Sequence, residues 1–324
     1  MRISTIRRSR RNVLALATAT ALSVGIAVPS LAATTTPSHT TGHSGRSWAS
    51  FQLPVVPGSD YLALGDSVAF GYREPTTFPP PNYPNPKSFV GYPEEIGSAL
   101  GLRVTNASCP GETSGSFVST ANPSYACETA AGYRTNFPLH ATYRNSKESQ
   151  LTFAVNFLKK HRNTRLVTLG IGANDGFLCQ AKNGGTCSGP ALTATLGGIG
   201  KNVSTILFAL RYQAHYFGQI VIVDYYSTDY RSAAANASSQ GLNQVMAAAA
   251  KPFVVKVADE FGAFQNAALH SGGDSCAAGL LTQLFPHQAG TAAGAQNGCG
   301  VHPSVAGQDV LAHTIEATVK KTYF

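Results

Sequence analysis

Four short blocks of the chain hold residue types that could move an acyl group. Gly65-Asp66-Ser67 supplies a hydroxyl. Asn106-Ala107-Ser108-Cys109-Pro110-Gly111-Glu112-Thr113-Ser114 supplies a glycine whose backbone N–H, lacking a Cβ beside it, can approach a ligand closely. Gly172-Ala173-Asn174-Asp175 supplies a side-chain amide, and Gly300-Val301-His302-Pro303-Ser304 an imidazole. A nucleophilic hydroxyl, a base for its proton, and donors aimed at a developing oxyanion are the parts of an acyl-transfer site. Each block alone has an ordinary reading. Gly-Asp-Ser is a common turn, an Asp after a strand caps nearby N–H groups, and His-Pro can open a helix. Their occurrence together points to chemistry.

These blocks need a frame that brings them to one place. Short β-branched runs at Asp60–Leu64, Arg103–Ala107, Leu166–Gly170, Gln219–Tyr225 and Phe253–Val257 predict strands buried on both faces. Helical patterns fall between them: Gln150–Lys160, Leu192–Leu210, the alanine-rich Ser232–Ala250, and Ser304–Lys320. On the second, Leu192, Leu196, Ile199, Val203, Ile206, Leu207 and Leu210 share one face. Strands alternating with helices predict an α/β fold with a parallel sheet. Ligands in such sheets bind at the carboxyl ends of the strands, where the first three blocks fall.

Together the blocks resemble the SGNH (GDSL-type) esterase and lipase superfamily: GDS at 65–67, glycine at 111, GxND at 172–175 and HP at 302–303, in the family's order and spanning Tyr61 to Val310. The resemblance implies a three-layer α/β/α, flavodoxin-like fold with a central parallel sheet of about five strands. It implies Ser67 as nucleophile and His302 as base. It implies an oxyanion hole built from the Ser67 and Gly111 backbone N–H groups and the Asn174 amide. No G-x-S-x-G is present, so the other common serine-hydrolase elbow is not expected. No metal or organic cofactor is implied.

One position departs from the family pattern. The acid usually found three residues before the histidine is replaced by Cys299. Something must still orient the imidazole. The expectation is a backbone carbonyl at or next to Cys299, fixed by a disulfide to Cys276; the alternatives are the distant acids Asp274 and Asp309.

The chain has 324 residues and a formal charge of +8, but Arg2, Arg7, Arg8, Arg10 and Arg11 supply five of those charges, leaving +3 for the remainder. That is no footprint for nucleic acid. Residues 1–32 predict an export signal: an arginine-rich start, an apolar stretch Val13–Val28 and Ser30-Leu31-Ala32 before the cut. Thr18, Thr20 and Ser23 make the stretch too polar for a membrane anchor. Ser9-Arg10-Arg11-Asn12-Val13-Leu14 also resembles a twin-arginine signal. Residues 33–51 form a Thr/Ser/Pro-rich leader, and 52–324 one hydrolase domain. Six cysteines in an exported chain predict disulfides. Their order suggests three local pairs, Cys109–Cys127, Cys179–Cys187 and Cys276–Cys299. No Cys-x-x-Cys or suitably spaced His favours zinc instead.

The expected protein is therefore a secreted, monomeric serine esterase or lipase. Its partner is an ester or lipid substrate, met in transient contact with a lipid surface. An acyltransferase using the same residues, and a non-catalytic binding module on the same fold, are the alternatives. The long connections Pro75–Pro86 and Phe117–Tyr143 lie near the strand ends, and Phe70, Tyr72, Phe78, Tyr83 and Phe117 are the candidates to line a pocket there.

Overall fold

The computed structural model describes residues 52–284 and 298–321; the expected export signal and leader lie outside them. Five strands, β1 (Asp60–Gly65), β2 (Arg103–Asn106), β3 (Thr164–Gly170), β4 (Gln219–Val223) and β5 (Lys256–Ala258), form one parallel sheet in the order β2-β1-β3-β4-β5. This is the flavodoxin-like order, whose crevice opens where β1 and β3 send their connections to opposite sides.

The twofold alternation of the strands divides the core in two. Leu62, Leu64, Val167, Leu169, Ile220 and Ile222 face one way, against the helices α5 (Gln150–Lys160), α7 (Gly189–Phe208) and α8 (Ala233–Ala250). Tyr61, Ala63, Leu166, Val221 and Val223 face the other, against α2 (Tyr92–Leu100), α9 (Glu260–Ala267) and α10 (Val305–Thr318). Both faces are covered, so the strands read as continuous apolar runs rather than alternating ones. The remaining helices are short: α1 (Ser67–Phe70), α3 (Ser114–Val118), α4 (Tyr133–Asn136) and α6 (Ala173–Lys182). Among the described residues no helix is long and apolar enough to cross a membrane.

A second, two-stranded antiparallel sheet joins β6 (Leu281–Gln283) to β7 (Cys299–Pro303), with Gln283 opposite Cys299 and Leu281 opposite Pro303. The three disulfides are Cys109–Cys127, Cys179–Cys187 and Cys276–Cys299. The fifth strand starts later than the pattern of apolar residues predicts. Lys251–Phe253 form a 3₁₀ turn around Pro252, and Val254 takes a left-handed φ of 53° before the chain extends. Behind that turn α7 runs into a π-helical segment, Ala209–Gln213, which buries Arg211. Its guanidinium donates to the carbonyls of Tyr216, Gly218, Phe253 and Val254, tying the end of α7 to the approaches of β4 and β5.

Beyond β4, Asp224 accepts the N–H groups of Glu260 (2.7 Å) and Phe261 (3.1 Å), where Asp259 already caps α9. Burial pushes the Asp224 carboxyl up to about 7; the two N–H bonds pull it down, and Asp259 adds to the rise. The folded state therefore keeps a proton that the unfolded chain has released, and stability is lost as pH climbs from about 4 to about 7. Asp224→Asn keeps an acceptor for the helix without the charge. Its thermal midpoint should exceed wild type by about 2–4 °C at pH 8 and match it at pH 3.5, measured by calorimetry at both values; a less stable variant at pH 8 would refute this account.

Candidate functional site

Ser67 stands directly past the carboxyl end of β1, as the first residue of α1. Asp66 is the N-cap of α1: its Oδ1 accepts the Val68 N–H at 3.0 Å and its Oδ2 accepts the Tyr225 hydroxyl at 2.5 Å. Burial raises the Asp66 carboxyl to about 6, against the Tyr225 and Val68 hydrogen bonds, which lower it. Gly65, at φ 146°, lies so close to β3 that a Cβ there would meet the Gly170 carbonyl oxygen at 2.3 Å. The Gln150 side chain at the start of α5 holds both backbone groups of Gly65, accepting its N–H at 2.6 Å and donating to its carbonyl at 3.0 Å. The same amide group donates to Glu112 Oε2 at 3.3 Å, so one neutral side chain links the Ser67 loop to the Gly111 loop.

Gly111 has φ 83°, and a Cβ on it would lie 2.5 Å from the backbone of Ala126, next to the Cys109–Cys127 disulfide. Its carbonyl accepts the Tyr125 and Ala126 N–H groups, and its own N–H donates to no group among the described residues. Asn174 lies in the first turn of α6 and is buried; its side chain makes no hydrogen bond among the described residues. The neighbouring Asp175 has a different place. Both its oxygens are held by Ser114, through the backbone N–H and the hydroxyl at 2.7 Å each, which joins α6 to α3. Ser67, Gly111, Asn174 and His302 all border one cavity of about 630 Å³, and Ser67, Asn174 and His302 also border a second of about 430 Å³.

His302 reaches Ser67 from β7: its Nε2 lies 2.9 Å from Ser67 Oγ. Its Nδ1 lies 2.7 Å from Glu74 Oε1. This corrects the expectation for Cys299. Three residues along an extended strand cover about 10 Å, which carries the Cys299 carbonyl away from the ring, and Cys299 itself is buried in its disulfide and in the core. Asp274 pairs with Arg231 at 2.6 Å and caps the N–H groups of Cys276 and Ala277; neither it nor Asp309 hydrogen-bonds His302. Glu74 instead enters from the loop after α1. Thr282 Oγ1 donates to its Oε2 at 2.6 Å. A Cβ at Gly300 would lie 2.0 Å from its Oε1, so the glycine two residues before His302 is what admits the carboxylate. Burial raises the Glu74 carboxyl, but the charge of His302 and the hydrogen bonds from His302 and Thr282 outweigh it, leaving the group below its ordinary value.

The expected lining residues divide. Tyr72 and Tyr83 border the larger cavity, and the Tyr72 ring packs edge-on to His302 at 4.8 Å. Phe70 and Phe117 are fully buried, because each packs inward from a short helix, and Phe78 is 83% exposed. Glu74 carried a sequence signal that passes unnoticed: in a chain with only 16 acids, it is the first after Asp66, directly ahead of the proline-rich loop.

The sequence model of the GDSL-like Lipase/Acylhydrolase family matches residues 63–310. No curated protein matches the chain. Solved structures similar to it include a phospholipase A1 from Streptomyces albidoflavus NA297 (17% identity, TM-score 0.47, covering 81% of this chain and 100% of that one). An acetylxylan esterase from Geobacillus stearothermophilus is 15% identical (TM-score 0.46, 82% and 96%). A lipase from a goat rumen metagenome is 14% identical (TM-score 0.49, 81% and 98%). Because the family match covers more than half of the chain, from within β1 to α10, and includes every block that borders the two cavities, the chain belongs to the GDSL-like lipase/acylhydrolase family and is a carboxylic ester hydrolase.

Proposed function

We propose that this hydrolase works through an acyl-Ser67 intermediate, with His302 as base and Glu74 as the residue that positions it. The observation that carries the reading is an unbroken line of hydrogen bonds, Glu74 to His302 to Ser67, ending at a hydroxyl that borders two cavities.

A proton on Nδ1, held by the Glu74 carboxylate, leaves Nε2 as an acceptor for the Ser67 proton. As Oγ attacks the ester carbonyl, that proton passes to Nε2, and Glu74 stabilises the imidazolium. The carbonyl oxygen gains charge opposite the Ser67 N–H, the Gly111 N–H and the Asn174 amide, the latter two without an acceptor among the described residues. Collapse breaks the bond to the alcohol oxygen, which takes the proton from Nε2. Water then attacks the acyl-enzyme with His302 again as base, releasing the acid and restoring Ser67. No step calls for a cofactor. The enzyme would act outside the cell: the arginine-rich segment 1–32 reads as its export signal, and three disulfides suit an oxidising compartment.

Ser67→Ala should lower turnover of p-nitrophenyl acetate by about 10⁶, with no covalent labelling by a serine-reactive phosphonate. Equal turnover by wild type and variant would sink the mechanism. Asn174→Ala should lose on the order of 10²–10³ in kcat.

Glu74→Gln should lower kcat by on the order of 10²–10⁴, whereas Asp274→Asn and Asp309→Asn should keep wild-type kcat. Full activity in Glu74→Gln, or a large loss in Asp274→Asn, would return the orienting role to another group.

A further inference from the structure

The two cavities meet at Ser67 but differ in chemistry. The smaller is bounded by α6, α7 and α8, with Tyr225 and Tyr226 also on its wall and Phe177 of α6 shared with the larger. Leu192, Leu196 and Ile199 on α7 face Ala235, Ser239 and Leu242 on α8, each set at i, i+4, i+7. The apolar stripe of α7 is longer than the core needs. Val203, Ile206 and Leu207 are buried against the sheet, while Leu192, 37% exposed, continues the stripe into the cavity. The larger cavity is walled by rings, among them Tyr72, Tyr83, Tyr125, Tyr133 and Phe137. Neither cavity has a Lys or Arg on its walls among the described residues. A phosphate group brought beside Ser67 would therefore meet no cationic side chain, the usual partner for that anion.

We propose that the site takes a neutral ester, its alkyl acyl chain lying between α7 and α8 and its uncharged alcohol part against the aromatic wall, and that it discriminates against phospholipids. The assignment rests on the mechanism proposed above, and the direction follows from His302. The leaving oxygen must sit at Nε2, and the ring of His302 is flanked by Tyr72 of the aromatic wall. The other side of Ser67 is made by Val68 and Ala173, the residues next to the nucleophile and Asn174, and leads to Ile199 and Leu242. Gly172 forms the floor there: a Cβ on it would lie 2.8 Å from Leu242 Cδ1. An alkyl chain in this channel removes apolar surface from water on both sides, worth roughly fourfold in kcat/KM per methylene until the channel is full.

The test compares p-nitrophenyl esters from acetate to decanoate, each variant read as its own decanoate-to-acetate ratio of kcat/KM. Wild type should show a ratio well above one. Leu196→Trp, which fills the channel, should cut that ratio at least tenfold. Leu242→Ala, which lengthens it, should raise the ratio and serves if the tryptophan variant does not fold. Tyr125→Ala should leave the ratio within twofold but lower kcat/KM for naphthyl butyrate relative to methyl butyrate. A ratio that follows Tyr125 and ignores Leu196 and Leu242 would reverse the two cavities and overturn the assignment. In mixed micelles, dioctanoylglycerol should be cleaved at least 100-fold faster than dioctanoylphosphatidylcholine; equal rates would overturn the neutral-ester claim. Loss of Ser67-dependent acetate hydrolysis in wild type would be a failure of the mechanism instead, so the two results are separable.

Discussion

The pairing of Glu74 with His302 sets the terms for half of this molecule. A carboxylate removed from water has to be matched at both oxygens or it reverts to the neutral acid. Here the imidazole takes one oxygen and Thr282 the other. Meeting that demand requires β6 to present Thr282, β7 to present His302, and Gly300 to leave room between them. The Cys276–Cys299 disulfide anchors the start of β7 to the segment before β6, holding the hairpin against the sheet. The segment after α1 must in turn bring Glu74 back under the histidine. The Thr77 N–H and hydroxyl both bond to the Glu74 carbonyl, fixing the backbone at that point.

The other half of the site is organised by uncharged groups. Gln150 touches the backbone of Gly65 on two sides and Glu112 on a third. Gln308 does the same at the far side of Ser67, accepting from the Tyr92 N–H and donating to the Val68 carbonyl. An amide offers donors and an acceptor at fixed geometry without adding a charge near Ser67. That division matters physically. The charge pair of Glu74 with His302 ends at Ser67, while the side chains that hold the Gly65 and Val68 backbone on either side are neutral amides. Burial, with Glu128 adding to it, pushes the Glu112 carboxyl well up, against the hydrogen bonds from Ser116 and Gln150 and the charge of Arg134.

What the sequence made legible was whatever is local. The five strands could be located because burial on both faces forces continuous apolar runs, and α5 because Leu151, Ala154, Val155 and Leu158 repeat at helical spacing. The four chemical blocks were readable for the same reason, each lying within a few residues at a strand end. Glu74 was not. Its partner is 228 residues away, and its loop carries no periodicity to say which way the side chain turns. Cys299 draws attention because the family pattern puts an acid three residues before the histidine; here that stretch is extended strand, which carries the Cys299 carbonyl away from the ring. The short helices α2, α6 and α9 escaped for a related reason. Each packs through only a few residues, such as Tyr92 and Ile96 of α2, too few to make a repeat.

The departure from the family pattern at Cys299 and the presence of Glu74 are two sides of one exchange. A cysteine at that position serves the disulfide that fixes the hairpin, and a carboxylate from the sequence-distant loop takes the place at Nδ1. The loop thereby acquires two neighbouring contacts with the site. Glu74 lies at 2.7 Å from the imidazole Nδ1, while Tyr72 and Pro75, on either side of it, wall the larger cavity. The hydrogen bond to His302 Nδ1 and part of the wall of one cavity are therefore carried by four consecutive residues. In a site whose acid sits three residues before the histidine, these tasks fall on separate segments, and a loop could vary to suit the alcohol without disturbing the imidazole. Here any change that moves the Tyr72–Pro75 backbone alters both, so this part of the aromatic wall is coupled to the hydrogen bonds that hold the His302 imidazole. The cavity between α7 and α8 is tied to the hairpin by another route: Ser239 of α8 donates to the Tyr226 carbonyl, and the Tyr226 hydroxyl donates to the Val301 carbonyl beside His302.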